Sequence, residues 1–224
     1  MGREGQPKER QRRQLERKSG RRASYDRLLI VSEGSRTEPG YFREVIAHHR
    51  LPSAHVVVRP SLLGTQPLQV VDYAEQLFVH GDAHRRLAPK IHDRVYAVFD
   101  RDEHPTFHEA LARARALDGR LRNDLKRSVT FVAVPSRPCF EFWLLLHFED
   151  VRHLMHREEV LQRLKRHLPD YEKGCRGIFA ATQPHLPLAL ERARLLAQRA
   201  DPADDREPCA GVAELVDRLV NLRG

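Results

Sequence analysis

The sequence predicts an α/β protein: a mostly parallel β-sheet with helices on both faces, followed by a C-terminal helical layer. Three observations lead to this fold class. Short apolar runs alternate with segments of helical periodicity up to about residue 150. The run at 95–99 is rich in β-branched and aromatic residues, as is typical of a strand buried on both faces of a parallel sheet. From residue 151 onward the segments are helical and rich in charge.

The first strand and helix are predicted from residues 25–48. The apolar run 25–32 ends at Glu33, and Gly34 permits the sharp turn that a strand needs before a helix. Thr37 supplies a cap, and Pro39 stands near the first helical position. An apolar stripe then follows at helical spacing, formed by Tyr41, Phe42, Val45 and Ile46.

The same criteria predict the later elements in order. Further strands are expected over residues 54–58 and 128–134, and helices over 67–87, 105–121, 138–148, 156–168, 187–200 and 211–222. Residues 202–209 are predicted to be a polar loop. This division gives a basic tail at 1–24, a core at 25–150 and a helical region at 151–224 packed on the core.

Two acidic residues, Asp100 and Asp102, directly follow the predicted strand at 95–99. Residues two apart in an extended chain point to the same side, so the two carboxylates should converge. Their repulsion is relieved if water solvates them, if one takes a proton or if a divalent cation binds between them, and oxygen ligands of this kind suit Mg²⁺ or Mn²⁺. The other interpretation is that they cap a helix opened by Pro105, or face solvent.

Other charged residues are predicted at the same edge, because ligands of such sheets bind beyond the carboxyl ends of the strands. Glu141 lies in the first turn of the apolar helix 138–148, either as a further ligand or as part of a structural salt bridge. The candidate metal ligands are Glu33, Glu38, Asp100, Asp102 and Glu141. The candidate phosphate-binding residues are Arg36, Arg101 and Arg137. Such a set suits metal-dependent phosphodiester hydrolysis.

The chain of 224 residues carries a net charge of +8, concentrated at its start. Residues 1–22 hold nine Lys or Arg against three Glu, and they have too few apolar residues to fold alone. This tail either contacts nucleic-acid phosphates or serves as a solubilising leader. The cations proposed for nucleic-acid contact are Arg12, Arg13, Arg17, Lys18, Arg21 and Arg22.

Several function classes are disfavoured by the sequence. No apolar run approaches the roughly 20 residues of a membrane span, and no signal-peptide core follows the basic start, so we expect a cytoplasmic protein without a membrane partner. The three cysteines are far apart, which predicts reduced and mostly buried thiols. There is no P-loop and no G-x-S-x-G elbow, and the scattered histidines do not favour zinc.

Three blocks together resemble the RloB-like family: LLIVSEGSRTEPGYF at 28–42, VFDRDEH at 98–104 and SRPCFEFWLLLHF at 136–148. The resemblance implies a Toprim-like core, similar to topoisomerases, primases and OLD-type nucleases. It implies that Glu33 is the Toprim glutamate, that Asp100 and Asp102 form the DxD pair, and that Glu38 and Glu141 are added carboxylates. It also implies a role beside an AAA/ABC-type, RloA-like ATPase in anti-phage abortive infection.

Two functions are therefore predicted. The first is a Mg²⁺- or Mn²⁺-dependent Toprim-like nuclease that acts on DNA or RNA, with Glu33, Asp100, Asp102 and Glu141 as catalytic residues. The alternative is a non-catalytic Toprim-like module that binds nucleic acid or an ATPase partner.

Overall fold

The structure is a computed structural model that describes residues 25–53, 55–101, 104–199 and 208–222. Its strands are β1 (Leu28–Ser32), β2 (Val56–Pro60), β3 (Arg94–Asp100), β4 (Thr130–Arg137) and β5 (Cys209–Ala210). Its helices are α1 (Thr37–His48), α2 (Pro67–His80), α3 (Phe107–Leu117), α4 (Phe140–Leu145), α5 (Arg157–His167), α6 (Ile178–Thr182), α7 (Leu186–Arg199) and α8 (Val212–Val220), with a 3₁₀ turn (Gln183–His185) between α6 and α7.

The strands form one sheet in the order β2-β1-β3-β4-β5. The first four are parallel, and β5 pairs antiparallel with the end of β4. The predicted α/β class with a mostly parallel sheet is confirmed. Since β1, β3 and β4 are neighbours, their carboxyl ends lie side by side at one edge.

Both faces of the sheet are covered, as expected for parallel strands. In β1 every residue is buried, and alternate side chains join two apolar clusters. Leu28 and Ile30 face the larger cluster, which contains residues of α1, α4 and the C-terminal helices. Leu29 and Val31 face the smaller cluster, which contains residues of α2 and α3.

Helix α4 lies at the centre of the larger cluster, as its apolar composition predicts. All six of its residues are buried. The indole Nε1 of Trp143 donates a hydrogen bond to the hydroxyl of Tyr41 at 3.1 Å, which ties α4 to α1. Among the described residues, no helix is both long enough and apolar enough to cross a membrane.

Several sequence predictions were wrong in detail. The helix predicted over 67–87 ends at His80, because Gly81 has φ 70° and the chain then turns into a short bridge between Asp82 and Leu87. The loop predicted over 202–209 does not extend to Cys209, which belongs to β5. The three cysteines are free thiols, but Cys139 is buried whereas the other two are partly exposed.

Candidate functional site

The first part of the candidate site joins the ends of β1 and β3. Glu33 directly follows β1, and Asp100 is the last residue of β3. The Glu33 Oε2 atom accepts a hydrogen bond from the backbone N–H of Asp100 at 2.9 Å. Asp100 is only 8% exposed. The Glu33 carboxylate is therefore held against the end of β3, at the backbone of the largely buried Asp100.

Glu38 lies in the first turn of α1, close to the same strand ends. Its side chain is 9% exposed, and burial raises its pKa from the ordinary 4.5 to about 7, with the negative charges of Glu141 and Glu33 adding to the effect. Its Oε2 would lie 2.1 Å from a Cβ atom built on Gly34. Gly34 thus permits the close approach of the Glu38 carboxylate, a role that its position as a turn glycine did not indicate.

Glu141, in the first turn of α4, is the most deeply buried of the carboxylates, at 4% exposure. The hydroxyl of Tyr171 donates a hydrogen bond to its Oε1 at 3.0 Å, and the Nζ of Lys173 lies 3.7 Å from the same oxygen. Burial and the neighbouring Glu141 raise the pKa of the Tyr171 hydroxyl, so it remains a donor. Both partners come from the segment between α5 and α6.

The thiol of Cys139 lies among these carboxylates. Burial raises its pKa, and the charges of Glu141 and Asp100 raise it further. Cys139 is therefore close enough to Glu141 on α4 and to Asp100 on β3 for both charges to affect its pKa. Together with the contacts of Glu33 and Glu38, this shows that the structure brings four of the predicted carboxylates into one cluster: Glu33, Glu38, Asp100 and Glu141.

The predicted phosphate-binding arginines lie in two places. The guanidinium carbons of Arg101 and Arg137 lie 4.7 Å and 5.9 Å from the centre of the Phe107 ring, next to the end of β3. Arg36 is exposed and packs against Gly174, because a Cβ built on that glycine would lie 2.7 Å from the Arg36 Cβ. Arg36 thus contacts the same segment that supplies Tyr171 and Lys173 to Glu141.

Some predicted site residues lie outside the described residues. These are Asp102 and the tail cations Arg12, Arg13, Arg17, Lys18, Arg21 and Arg22. Sequence reasoning missed Tyr171, Lys173 and Cys139. The first two stand in a short polar segment without periodicity, where the only signal is an aromatic residue and a cation near Gly174.

Residues 28–219 match the model of a protein family described as RloB-like protein. This chain belongs to that family. Comparisons with curated proteins and with solved structures gave no match. The RloB-like match begins at the first residue of β1 and ends within α8, so it includes every site residue that the structure describes.

The donor chemistry of this RloB-like site fits a hard divalent cation in one respect, because the pKa of Glu38 is raised first by burial and then by the charges of the nearby Glu141 and Glu33 carboxylates. A second observation qualifies the fit. Within residues 25–53, 55–101, 104–199 and 208–222, no three His, Cys, Asp or Glu side chains are grouped closely enough to hold a metal ion. The described carboxylates are thus oxygen donors of the right kind, without a complete ligand set.

Proposed function

We propose that this RloB-like protein is a Toprim-like, metal-dependent nuclease that hydrolyses phosphodiester bonds of DNA or RNA. The observation that carries the proposal is the carboxylate cluster, in which the Glu33 side chain is bonded to the backbone of Asp100 and both Glu38 and Glu141 are electrostatically coupled to it. Side chains from β1, β3, α1 and α4 are buried together at one edge, although their mutual repulsion opposes folding. Such an arrangement is typical of a functional site rather than a structural one.

Glu33 and Asp100, with Asp102, are the proposed ligands of Mg²⁺ or Mn²⁺. When bound, the ion would activate a water molecule and stabilise the charge that develops on the phosphate. The hydrogen bond from the Asp100 backbone fixes the orientation of the Glu33 carboxylate at the end of β3.

Glu38 is the proposed proton-transfer group. Its pKa of about 7 allows it to hold or release a proton near neutral pH. Arg101 and Arg137 are the proposed phosphate contacts at the end of β3 and β4. Biologically, we propose an anti-phage abortive-infection role in the cytoplasm beside an AAA/ABC-type, RloA-like ATPase.

Cleavage assays with labelled DNA and tRNA, in Mg²⁺ and in Mn²⁺, test the proposal. The Asp100→Asn and Glu33→Gln variants should each lose at least about 100-fold in cleavage rate, since even residues that only support metal ligands typically contribute 10- to 100-fold. Glu109→Gln is a matched control, because Glu109 is an exposed carboxylate in the first turn of α3. Undiminished cleavage by Asp100→Asn would refute the assignment.

One observation favours the non-catalytic alternative. The negative charge of two of the four carboxylates is already reduced or paired within the protein. Glu38 has a raised pKa, and Glu141 is paired with Tyr171 and Lys173. A protein that only binds nucleic acid or an ATPase partner needs no ion to maintain this state. Wild-type protein that binds oligonucleotides but cleaves none of them, with the ATPase partner present, would support this alternative.

A further inference from the structure

A groove with an arginine-rich lining runs along the outer strand of the sheet. Strand β2 is at one end of the strand order, and the groove of about 430 Å³ lies between it and α1. The charged residues that line it are Arg43, Arg50 and Arg59, and the remaining lining is mostly aliphatic. Arg43 and Arg50 are exposed, so their guanidinium groups are accessible to a ligand.

Electrostatic repulsion acts on Arg59. Burial lowers the pKa of Arg59, and the positive charges of Arg85 and Arg43 lower it further. The Arg59 Nη1 and Nη2 atoms donate to the carbonyl oxygens of Val58 and Arg85 at 3.0 Å and 3.5 Å, whereas its buried Nε has no hydrogen-bond partner among the described residues. An anion in the groove would relieve the repulsion and provide an acceptor for the guanidinium group.

The strand that borders the groove ends beside the carboxylate cluster. Arg59 pairs in register with Val31, and Pro60 pairs with Ser32, the residue before Glu33. The backbone N–H of Ser61 donates to the carbonyl oxygen of Ser32 at 2.8 Å, so the end of β2 is fastened beside the end of β1. The five residues of β2 extend over roughly 16 Å, which is long enough to contact several successive phosphates.

We propose that this arginine groove binds the phosphodiester backbone of a nucleic acid and guides it to the carboxylate cluster. The inference rests on the proposed function, because it takes nucleic acid as the substrate. Guanidinium groups bind phosphate through paired hydrogen bonds, and Arg43, Arg50 and Arg59 all line this groove. The aliphatic walls, which include Ile46 and Leu51, offer no hydrogen bonds to base edges, so binding is independent of sequence.

Fluorescence anisotropy with a labelled 20-nucleotide DNA and its RNA counterpart tests the inference. Full-length protein is titrated in EDTA over a series of salt concentrations, so that binding is measured without cleavage. The variants are Arg43→Gln, Arg50→Gln, Arg59→Gln and the triple variant. Arg115→Gln is the matched control, since Arg115 is exposed on α3 at the opposite face of the sheet.

Each single substitution should weaken binding about 3- to 10-fold, and the triple variant should reduce the slope of log K against log salt by about 2 to 3. Arg115→Gln should leave both the affinity and the slope unchanged. A triple variant with the slope of the wild type would overturn the inference. So would polyglutamate that displaces the oligonucleotide at equal charge, because the groove would then bind any polyanion.

The design separates this inference from the nuclease proposal. Suppose that cleavage depends on Asp100 but the triple variant binds nucleic acid normally. That result overturns only the inference that the groove binds nucleic acid. Impaired binding by the triple variant, in a protein that cleaves nothing, supports the groove and overturns the nuclease proposal alone.

Discussion

The buried carboxyl group of Glu38 should make the free energy of unfolding depend on pH. In the unfolded chain its pKa is near 4.5, and in the folded protein it is about 7. Between these values the folded state binds more protons than the unfolded state, so stability falls as pH rises through this window. The full difference corresponds to about 3 kcal/mol, and about 2 to 3 kcal/mol of it is lost between pH 5 and pH 8.

Urea unfolding of wild type and of Glu38→Gln, at pH 5 and at pH 8 in EDTA, measures this effect. Glutamine has the shape of the protonated side chain and does not titrate, so the variant should not lose stability through ionisation at this position as the pH rises. The expected result is nearly equal stability at pH 5, and a variant that is about 2 to 3 kcal/mol more stable than wild type at pH 8. Taking differences between the two proteins removes the contributions of all other titrating groups.

Glu109→Gln is the control, because that carboxylate also lies in the first turn of a helix, α3, but is exposed. It should show the same pH dependence as wild type. The reasoning is refuted if Glu38→Gln loses as much stability between pH 5 and pH 8 as wild type does. In that case the Glu38 carboxylate would be solvated or paired in solution, and its place in the proposed proton transfer would be lost as well.

Three further predictions concern the surroundings of the cluster. Gly34→Ala should leave the fold intact but displace the flexible Glu38 carboxylate, which removes more than half of the pH-dependent difference measured by urea unfolding. Lys173→Met should tighten Mn²⁺ binding about two- to fivefold by calorimetry, because it removes an exposed positive charge beside the Glu141 carboxylate. Glu44→Gln should lower the free energy of unfolding by about 1 to 2 kcal/mol, because Glu44 accepts two backbone N–H groups at the start of α6.

Each of these predictions has its own contradicting result. Gly34→Ala with the pH profile of wild type would mean that the carboxylate does not rest on Gly34. For Lys173, the matched control is Lys165→Met at an exposed position of α5, and equal effects of the two substitutions would exclude a specific role. For Glu44, an unchanged urea midpoint would show that water replaces the carboxylate at these two backbone groups.

The sequence predicts the sheet and its carboxyl edge well, because β1 and β3 are short, apolar and followed at once by acid. A buried strand leaves few alternatives for its direction or its end. Helix α4 is predicted for a similar reason, since a segment that is apolar nearly all round can only be stable inside the protein. From these elements alone, Glu33 and Asp100 can be placed at the ends of neighbouring strands.

The rest depends on contacts that have no local signal. Tyr171 and Lys173 contact Glu141 across 30 residues or more, from a segment whose own sequence is an ordinary polar connection. Helix α6 has only five residues, which is too short for an apolar period, and it is capped by Glu44 from a different helix. The raised pKa of Glu38 likewise results from burial by neighbours, which composition and spacing do not reveal.

The two ends of the sheet also affect whether copies of the protein stay apart. An outer strand exposes backbone groups that can pair with a strand of another molecule, and natural proteins prevent this with short strands or with charge. Here one end is the two-residue β5, and the other is β2 with Arg59 near its end. We expect the arginines beside β2 to hinder such pairing between copies of the protein. A substitution that removes their charge should therefore lower solubility in addition to weakening the binding of a ligand.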